Sequence, residues 1–153
     1  MKKLCVLFLA VMFYLSAIAM DTKPVSVVTS EGKIDCKKIS LGINKARIVL
    51  ENGETRSIPI TSISSYTIDQ KVFTRLPLYQ NGNPTGHQVF MELIKSSGEL
   101  SLYKVGLWET GQYILDDKSD FYFLYKGDKL HLALDNKTLP NICRYFGLQC
   151  SYK

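Results

Sequence analysis

Along most of this chain, short runs in which apolar and polar residues alternate are separated by turns that contain glycine. Asn52-Gly53 stands between two apolar runs, and Asn-Gly at such a place is a strong hairpin signal because both residues tolerate positive φ. Gly98 and Gly127 mark two further hairpins. The pattern predicts an antiparallel, all-β fold. Its expected strands cover residues 25–28, 46–50, 55–60, 63–68, 72–79, 89–94, 100–105, 121–125 and 129–134.

One predicted strand is apolar on both of its faces. Val89, Met91 and Leu93 point one way, because successive side chains of a strand alternate. Phe90 and Ile94 point the other way. Such a strand lies centrally in its sheet. We therefore expect a single domain of about seven to nine strands, folded as a sandwich or a barrel-like meander, since both share this alternation and turn spacing.

In the last predicted strand, leucines alternate with less apolar residues. Leu130, Leu132 and Leu134 are expected on one buried face, with His131 on the wet face. The aromatic residues of the preceding strand, including Phe123, are expected to pack across to the leucines. This predicts a half-buried strand near the end of the sheet.

The period changes near the C-terminus. Leu139, Ile142, Cys143 and Phe146 fall at i, i+3, i+4 and i+7, which is one stripe of a short helix. We expect Thr138 or Asn136 to cap its start. Gly147 is expected to end it at the C′ position. The sequence thus predicts one short C-terminal helix that closes one end of the core.

The first twenty residues have the pattern of a secretory signal peptide. Lys2 and Lys3 form a positive start, an apolar run covers 4–18, and Ala17-Ile18-Ala19 offers the small-x-small sequence that signal peptidase cleaves. The run is too short to predict a membrane anchor. We expect residues 1–20 to be removed and residues 21–153 to form one exported β-rich domain without a membrane span.

Charge is spread along the chain rather than concentrated. Loss of Lys2 and Lys3 with the signal lowers the formal net charge from +5 to +3, and the longest remaining basic run is Lys37-Lys38. A nucleic-acid-binding domain usually carries its basic residues in a patch or stripe. The pattern therefore argues against a nucleic-acid partner.

The cysteine count is compatible with one disulfide. Of the four cysteines, Cys5 falls inside the signal segment. Exported proteins can form disulfides, and the odd remaining number leaves one thiol over or one intermolecular bridge. Cys143 and Cys150 are close in sequence and bracket Gly147, so they are the preferred pair. A bridge from Cys36 to either of them is the alternative.

Neither a catalytic centre nor a cofactor site is predicted. His87 and His131 are not accompanied by a G-x-S-x-G motif. Two histidines and three dispersed cysteines lack the spacing of a zinc site. The acidic group Asp116, Asp117 and Asp120 lacks the order of an EF-hand loop. We therefore predict no catalytic residue, no metal and no cofactor.

Trp108, the only tryptophan, follows directly after a predicted strand, with Tyr113 close behind. Aromatic side chains in a loop at the end of a sheet can stack on a sugar or a partner protein. Trp108 and Tyr113 are accordingly the predicted ligand-binding residues. The alternative is that Trp108 folds back over the core.

Three segments, in their order after the signal, resemble a known group of proteins. They are SIPITSI at 57–63, FMELIKSSGELSLYK at 90–104 and FYFLYKGDKLHLALDNKTLPNICRYFG at 121–147. Together they resemble small exported β-rich proteins of unknown function from Bacteroidota. The resemblance implies a location in the cell envelope and carries over no catalytic residue.

These features favour a non-enzymatic exported domain of the cell envelope, periplasmic or at the cell surface, that binds a protein or glycan partner. Two alternatives stay open. One is a small secreted hydrolase that uses acidic residues or His131. The other is an assembly component that pairs with another chain through an exposed strand edge.

Overall fold

The computed structural model describes residues 25–80, 82–105, 121–135 and 137–150 of the chain. Nearly all of them belong to one antiparallel sheet of ten strands and one short helix. The elements are β1 (Val25–Thr29), β2 (Gly32–Leu41), β3 (Lys45–Leu50), β4 (Thr55–Pro59), β5 (Ile63–Ile68), β6 (Lys71–Gln80), β7 (Asn83–Ser97), β8 (Leu100–Val105), β9 (Phe121–Lys126), β10 (Lys129–Leu134) and α1 (Leu139–Tyr145). The predicted all-β class with a short C-terminal helix is confirmed, and the sheet is not closed into a barrel.

The order of strands across the sheet is β10-β9-β8-β7-β6-β5-β1-β2-β3-β4. Every neighbouring pair but one joins strands that follow each other in the chain. The exception is β1, which pairs with β2 on one side and with β5 on the other. The chain therefore builds outward from β1 to one edge, returns, and builds outward from β5 to the other edge.

The return from β4 to β5 forces the first half of the sheet to curl. In a flat sheet these strands would lie four inter-strand steps apart, about 19 Å. Their link is a single 3₁₀ turn, Ile60–Ser62, and even an extended chain from Pro59 to Ile63 would reach only about 14 Å. The backbone N–H of Ile60 donates to the carbonyl oxygen of Asn44 at 2.9 Å, which holds the turn against the start of β3.

The inside of this curl is face A, the face of the sheet that carries Val27, Tyr66 and Phe90. The register places Val27 opposite Tyr66, and Tyr66 opposite Phe73. The Tyr66 ring stacks on Phe73 with centroids 4.7 Å apart and meets Phe90 edge-on at 5.0 Å. The buried residues of this first-half core are Val27, Cys36, Ile39, Ala46, Ile48, Ile63, Tyr66 and Phe90.

The second half of the sheet is covered on both faces. On face B, opposite to face A, β10 comes back into contact with β6 and encloses a second core of Leu76, Leu78, Val89, Met91, Tyr103, Val105, Phe123 and Tyr125. On face A, α1 packs over a third core of Leu102, Tyr122, Leu124, Leu134, Leu139, Cys143 and Phe146. The prediction that β7 lies centrally and is apolar on both faces is confirmed.

The sequence prediction lacks one strand. β2 begins inside the expected leader 21–33 and continues through 34–41, where no strand is predicted, so the sheet has ten strands rather than seven to nine. The register of β2 against β3 shifts between Cys36 and Lys38. This bulge interrupts the two-residue period that reveals strands in a sequence.

A second bulge, at His131, overturns the expected leucine face of β10. Leu130 lies opposite Tyr125, and Leu132 lies opposite Leu124, so one residue of β10 is left over between them. Leu130 therefore packs on the face B core, whereas Leu134 is buried in the face A core. The expected packing of Phe123 against all three leucines is wrong, because the inserted residue moves the rest of the strand to the other face.

The predicted apolar stripe of α1 is confirmed, but its cap lies earlier than expected. Oδ1 of Asp135 accepts hydrogen bonds from the backbone N–H of Thr138 at 2.8 Å and of Lys137 at 3.0 Å. The Thr138 hydroxyl oxygen accepts the Asp135 N–H at 3.0 Å. This is a reciprocal capping box with Asp135 in the first position. The hydrogen bonds from Thr138 hold the pKa of Asp135 below its usual range.

The C-terminal end of α1 is fixed in two ways, both as predicted. Gly147 has φ 69°, and its N–H donates to the carbonyl oxygen of Arg144 at 3.0 Å, while Leu148 N–H donates to that of Cys143 at 2.8 Å. Cys143 is bonded to Cys150 in a disulfide. The turn and the bridge together direct the residues after the helix back onto its buried side.

We expect Gly147→Ala to lower the free energy of unfolding by about 1 kcal/mol, because an L side chain disfavours the left-handed conformation. An added Cβ would meet no atom within 4 Å, so the loss reflects the backbone alone. Denaturant unfolding measures it. Gly147→Asn is the matched control and should lose less, since asparagine tolerates this conformation. Equal losses in the two variants would contradict the explanation.

The lowered pKa of Asp135 predicts a pH dependence. The charged carboxylate stabilises the folded chain above the usual pKa of 3.8, and this contribution is lost as the pH falls through the lower pKa of the folded state. Asp135→Asn should therefore be less stable than the parent near neutral pH, and the difference should vanish in acid. Unfolding titrations across this range test it, with Asp128→Asn as the charge-matched control. A difference that persists in acid would rule out the carboxylate as its source.

Candidate functional site

The residues predicted to bind a ligand lie outside the described part of the chain. Trp108 and Tyr113 both fall within residues 106–120, as do the acidic residues Asp116 and Asp117. Their role as ligand contacts stays a prediction. The candidate site is therefore built from the residues that the structure describes.

The two histidines and the free thiol lie on three different strands. His87 lies on β7 and His131 on β10. Cys36 is not part of the disulfide, and its thiol is buried in the first-half core on face A. Burial raises the pKa of the Cys36 thiol, which keeps it protonated and weakly nucleophilic near neutral pH.

Within the described residues, no group of three or more His, Cys, Asp or Glu side chains is arranged to hold a metal ion. The same part of the chain contains no helix long and apolar enough to cross a membrane.

A polar groove opens on face A, next to the first-half core. Residues two positions apart on a strand share a face, and on three strands the position two residues from a core aromatic or valine is polar. These pairs are Val27 and Thr29 on β1, Phe73 and Arg75 on β6, and Phe90 and Gln88 on β7. On β5 the register against β1 passes from Ser65 opposite Val28 to Ile63 opposite Thr29, so Ser64 is the extra residue of a bulge beside this row. The apolar floor of the curl thus gives way to a polar row across the sheet.

The 3₁₀ turn forms the other wall of this groove. We call the space the Arg75 groove; it has a volume of about 380 Å³ and is lined by Thr29, Ser30, Thr61, Ser62, Ile63, Ser64, Arg75 and Gln88. Its volume falls within the roughly 300–1,000 Å³ typical of small-ligand sites. The tight return from β4 to β5 places the turn beside the polar row.

Three hydroxyl groups of the lining donate their proton to a backbone carbonyl. Ser64 Oγ donates to Val28 at 3.1 Å, Ser62 Oγ donates to Pro59 at 2.8 Å, and Thr29 Oγ1 donates to Gly32 at 3.2 Å. A hydroxyl has one proton but two lone pairs. Thr29 Oγ1 already accepts the backbone N–H of Glu31 at 3.2 Å and keeps one lone pair. The three groups are therefore left with capacity to accept hydrogen bonds from a ligand.

Arg75 is the charged residue of the lining. Its side chain is partly buried, and Nη1 donates to the carbonyl oxygen of Thr61 at 3.0 Å. Other cations of the described structure form ion pairs with acidic side chains, namely Lys33, Arg56, Lys71 and Lys126. The carbonyl bond uses one of the five N–H donors of the guanidinium, which anchors the group and leaves most of its donors available.

Sequence reasoning missed this groove. Arg75 lies within KVFTRLPLYQ, a strand otherwise dominated by apolar residues, and a cation in such a strand is the signal that was present. The groups from β5, β7 and the 3₁₀ turn reach Arg75 because β6 pairs directly with β5 and with β7. Thr29 and Ser30 join the groove through the pairing of β1 with β5, which no local pattern encodes.

Comparison with protein-family models, with curated proteins and with solved structures found no match. The resemblance to exported Bacteroidota proteins accordingly stays an expectation.

Proposed function

We propose that this protein is an exported, non-enzymatic β domain of the cell envelope that binds a protein or glycan partner. The signal-like segment 1–20 supports the export, and the Arg75 groove supports the binding role. In this proposal the curled sheet is a rigid frame, and the groove at its rim contacts the partner.

The composition of the groove is the observation that carries the proposal. Its lining combines hydroxyl groups, one amide and one guanidinium beside Ile63. Such a set of hydrogen-bonding groups recognises a polar ligand and fixes its orientation. Rigid strands hold most of these groups, so little ordering is needed on binding.

The hydrolase alternative has less support. A hydrolytic site of the serine or cysteine type needs a base within hydrogen-bond reach of its nucleophile. The residues that line the groove include serine and threonine but no His, Asp, Glu or Cys. The groove therefore supplies contacts rather than a general base.

The assembly alternative would use the edge strands β4 and β10. β4 is five residues long and ends at Pro59, and Arg56 pairs with Glu54 at 2.8 Å beside it. β10 carries the bulge at His131. Short length, proline, charge and bulges are the features by which natural sheets discourage edge pairing. They favour a groove-binding role over assembly through strands.

Export predicts a defined mature N-terminus. When the full-length chain is expressed in a bacterial host with an intact secretion system, we expect cleavage after Ala19 or Met20. Intact-mass analysis of the envelope fraction should show a chain beginning at Met20 or Asp21. A full-length product retained in the cytoplasm would contradict the export part of the proposal.

Binding predicts that a ligand raises the melting temperature, because it stabilises only the folded state. We expect a saturable rise with a member of a panel of envelope glycans, acidic polysaccharides and their oligosaccharides. Gln88→Tyr places a ring in the groove and should abolish the rise. His87→Tyr adds the same ring on the neighbouring position of β7, which faces the other way, and should leave it intact. Equal responses of the two variants would place the binding elsewhere.

A further inference from the structure

We infer that the Arg75 groove recognises the carboxylate of an acidic sugar, as found in a uronic-acid unit of a glycan. This inference rests on the proposed binding function and names the chemistry of the ligand. Two features of the lining carry it: an anchored cation, and hydroxyl groups that face the groove as acceptors.

Arg75 supplies the cation of the groove. The residue lies on β6, opposite Phe90 of β7, and its carbonyl contact with Thr61 fixes the guanidinium at the rim of the groove. A partly buried cation is stabilised when an anion pairs with it, and a guanidinium binds a carboxylate through two parallel hydrogen bonds. The nearest acid along the chain to the groove lining is Glu31, which is not part of that lining.

The hydroxyl groups of the lining limit the kind of anion that fits. Ser62, Ser64 and Thr29 direct their protons to backbone carbonyls, so their remaining capacity is to accept. A ligand that fills this capacity must bring its own donors beside the carboxylate. The ring hydroxyls of a uronic acid are such donors, whereas a sulfate ion and a bare carboxylate such as acetate have none.

The other lining groups complete the fit. Ile63 is only 1% exposed and belongs to the first-half core, so the contacts offered to a ligand come from the polar groups around it. Gln88 is exposed on β7, at the side of the groove away from Thr29. Its amide offers both a hydrogen-bond donor and an acceptor. A groove that is open at the surface lets a glycan chain continue beyond the unit that is bound.

The test is a titration of the isotopically labelled protein, expressed from its full-length sequence, with trigalacturonate. Amide resonances of the groove residues should shift, with those of Thr61, Ser62 and Ser64 among the largest. The methyl ester of the same trisaccharide, which lacks the charge, should bind at least tenfold more weakly, as expected when charge-assisted hydrogen bonds are lost.

Arg75→Gln should weaken trigalacturonate binding to the same extent and should bind acid and ester alike. Arg47→Gln removes the same charge from the exposed side of β3 and should leave the affinity unchanged. A native amide spectrum of Arg75→Gln shows that the variant is folded. Acetate, sulfate and a triglutamate peptide, tested in the same way, separate an acidic sugar from a bare anion and from a peptide.

The outcomes distinguish the carboxylate inference from the proposed binding function on which it rests. Shifts at the groove residues that are equal for acid and ester, or unchanged in Arg75→Gln, would overturn the carboxylate inference and leave the groove as a binding site. Stronger binding of the peptide or of sulfate would overturn the acidic sugar. Absence of any groove shift with trigalacturonate overturns the inference, and the Gln88→Tyr comparison then decides separately on the proposed function.

Discussion

The short link between β4 and β5 is the constraint on which the rest of this structure depends. A single 3₁₀ turn joins strands that a flat sheet would hold about 19 Å apart, so the first half must curl until the turn reaches the rim. The curl encloses face A, which buries the aromatic group around Tyr66. It also sets the turn beside β5, β6 and β7, and the Arg75 groove is the space that remains between them.

A single sheet encloses three cores here because its two halves bury different faces. The first half curls around face A, whereas the second half folds β10 back towards β6 over face B and leaves face A of that half to α1. Bulges make this possible. The one at His131 divides the leucines of β10 between the two faces, so that one strand contributes to two cores. The long strand β7 does the same by being apolar on both sides.

Features carried by neighbouring residues could be predicted from the sequence, and features carried by distant residues could not. The Asn52-Gly53 hairpin, the apolar stripe of α1 and the Cys143–Cys150 bridge depend on contacts within about ten residues, and all are present. β2 was hidden because its bulge breaks the alternation. The groove was hidden for a different reason: Thr29 and Ser30 reach it only through the pairing of β1 with β5, which no short pattern encodes.

The position of β1 has a consequence for how the chain reaches this sheet. Nearly all strand pairs are hairpins between successive strands and can form one after another with little loss of chain entropy. The pairing of Val27 with Tyr66 is different. It closes a long loop, and the chain entropy lost in that closure precedes the contacts that offset it. Until that closure occurs, β5 is an unpaired edge and the hairpins from β6 onward have no first half to join. This pairing is thus the one step in the assembly of the ten-stranded sheet that no turn between successive strands supplies.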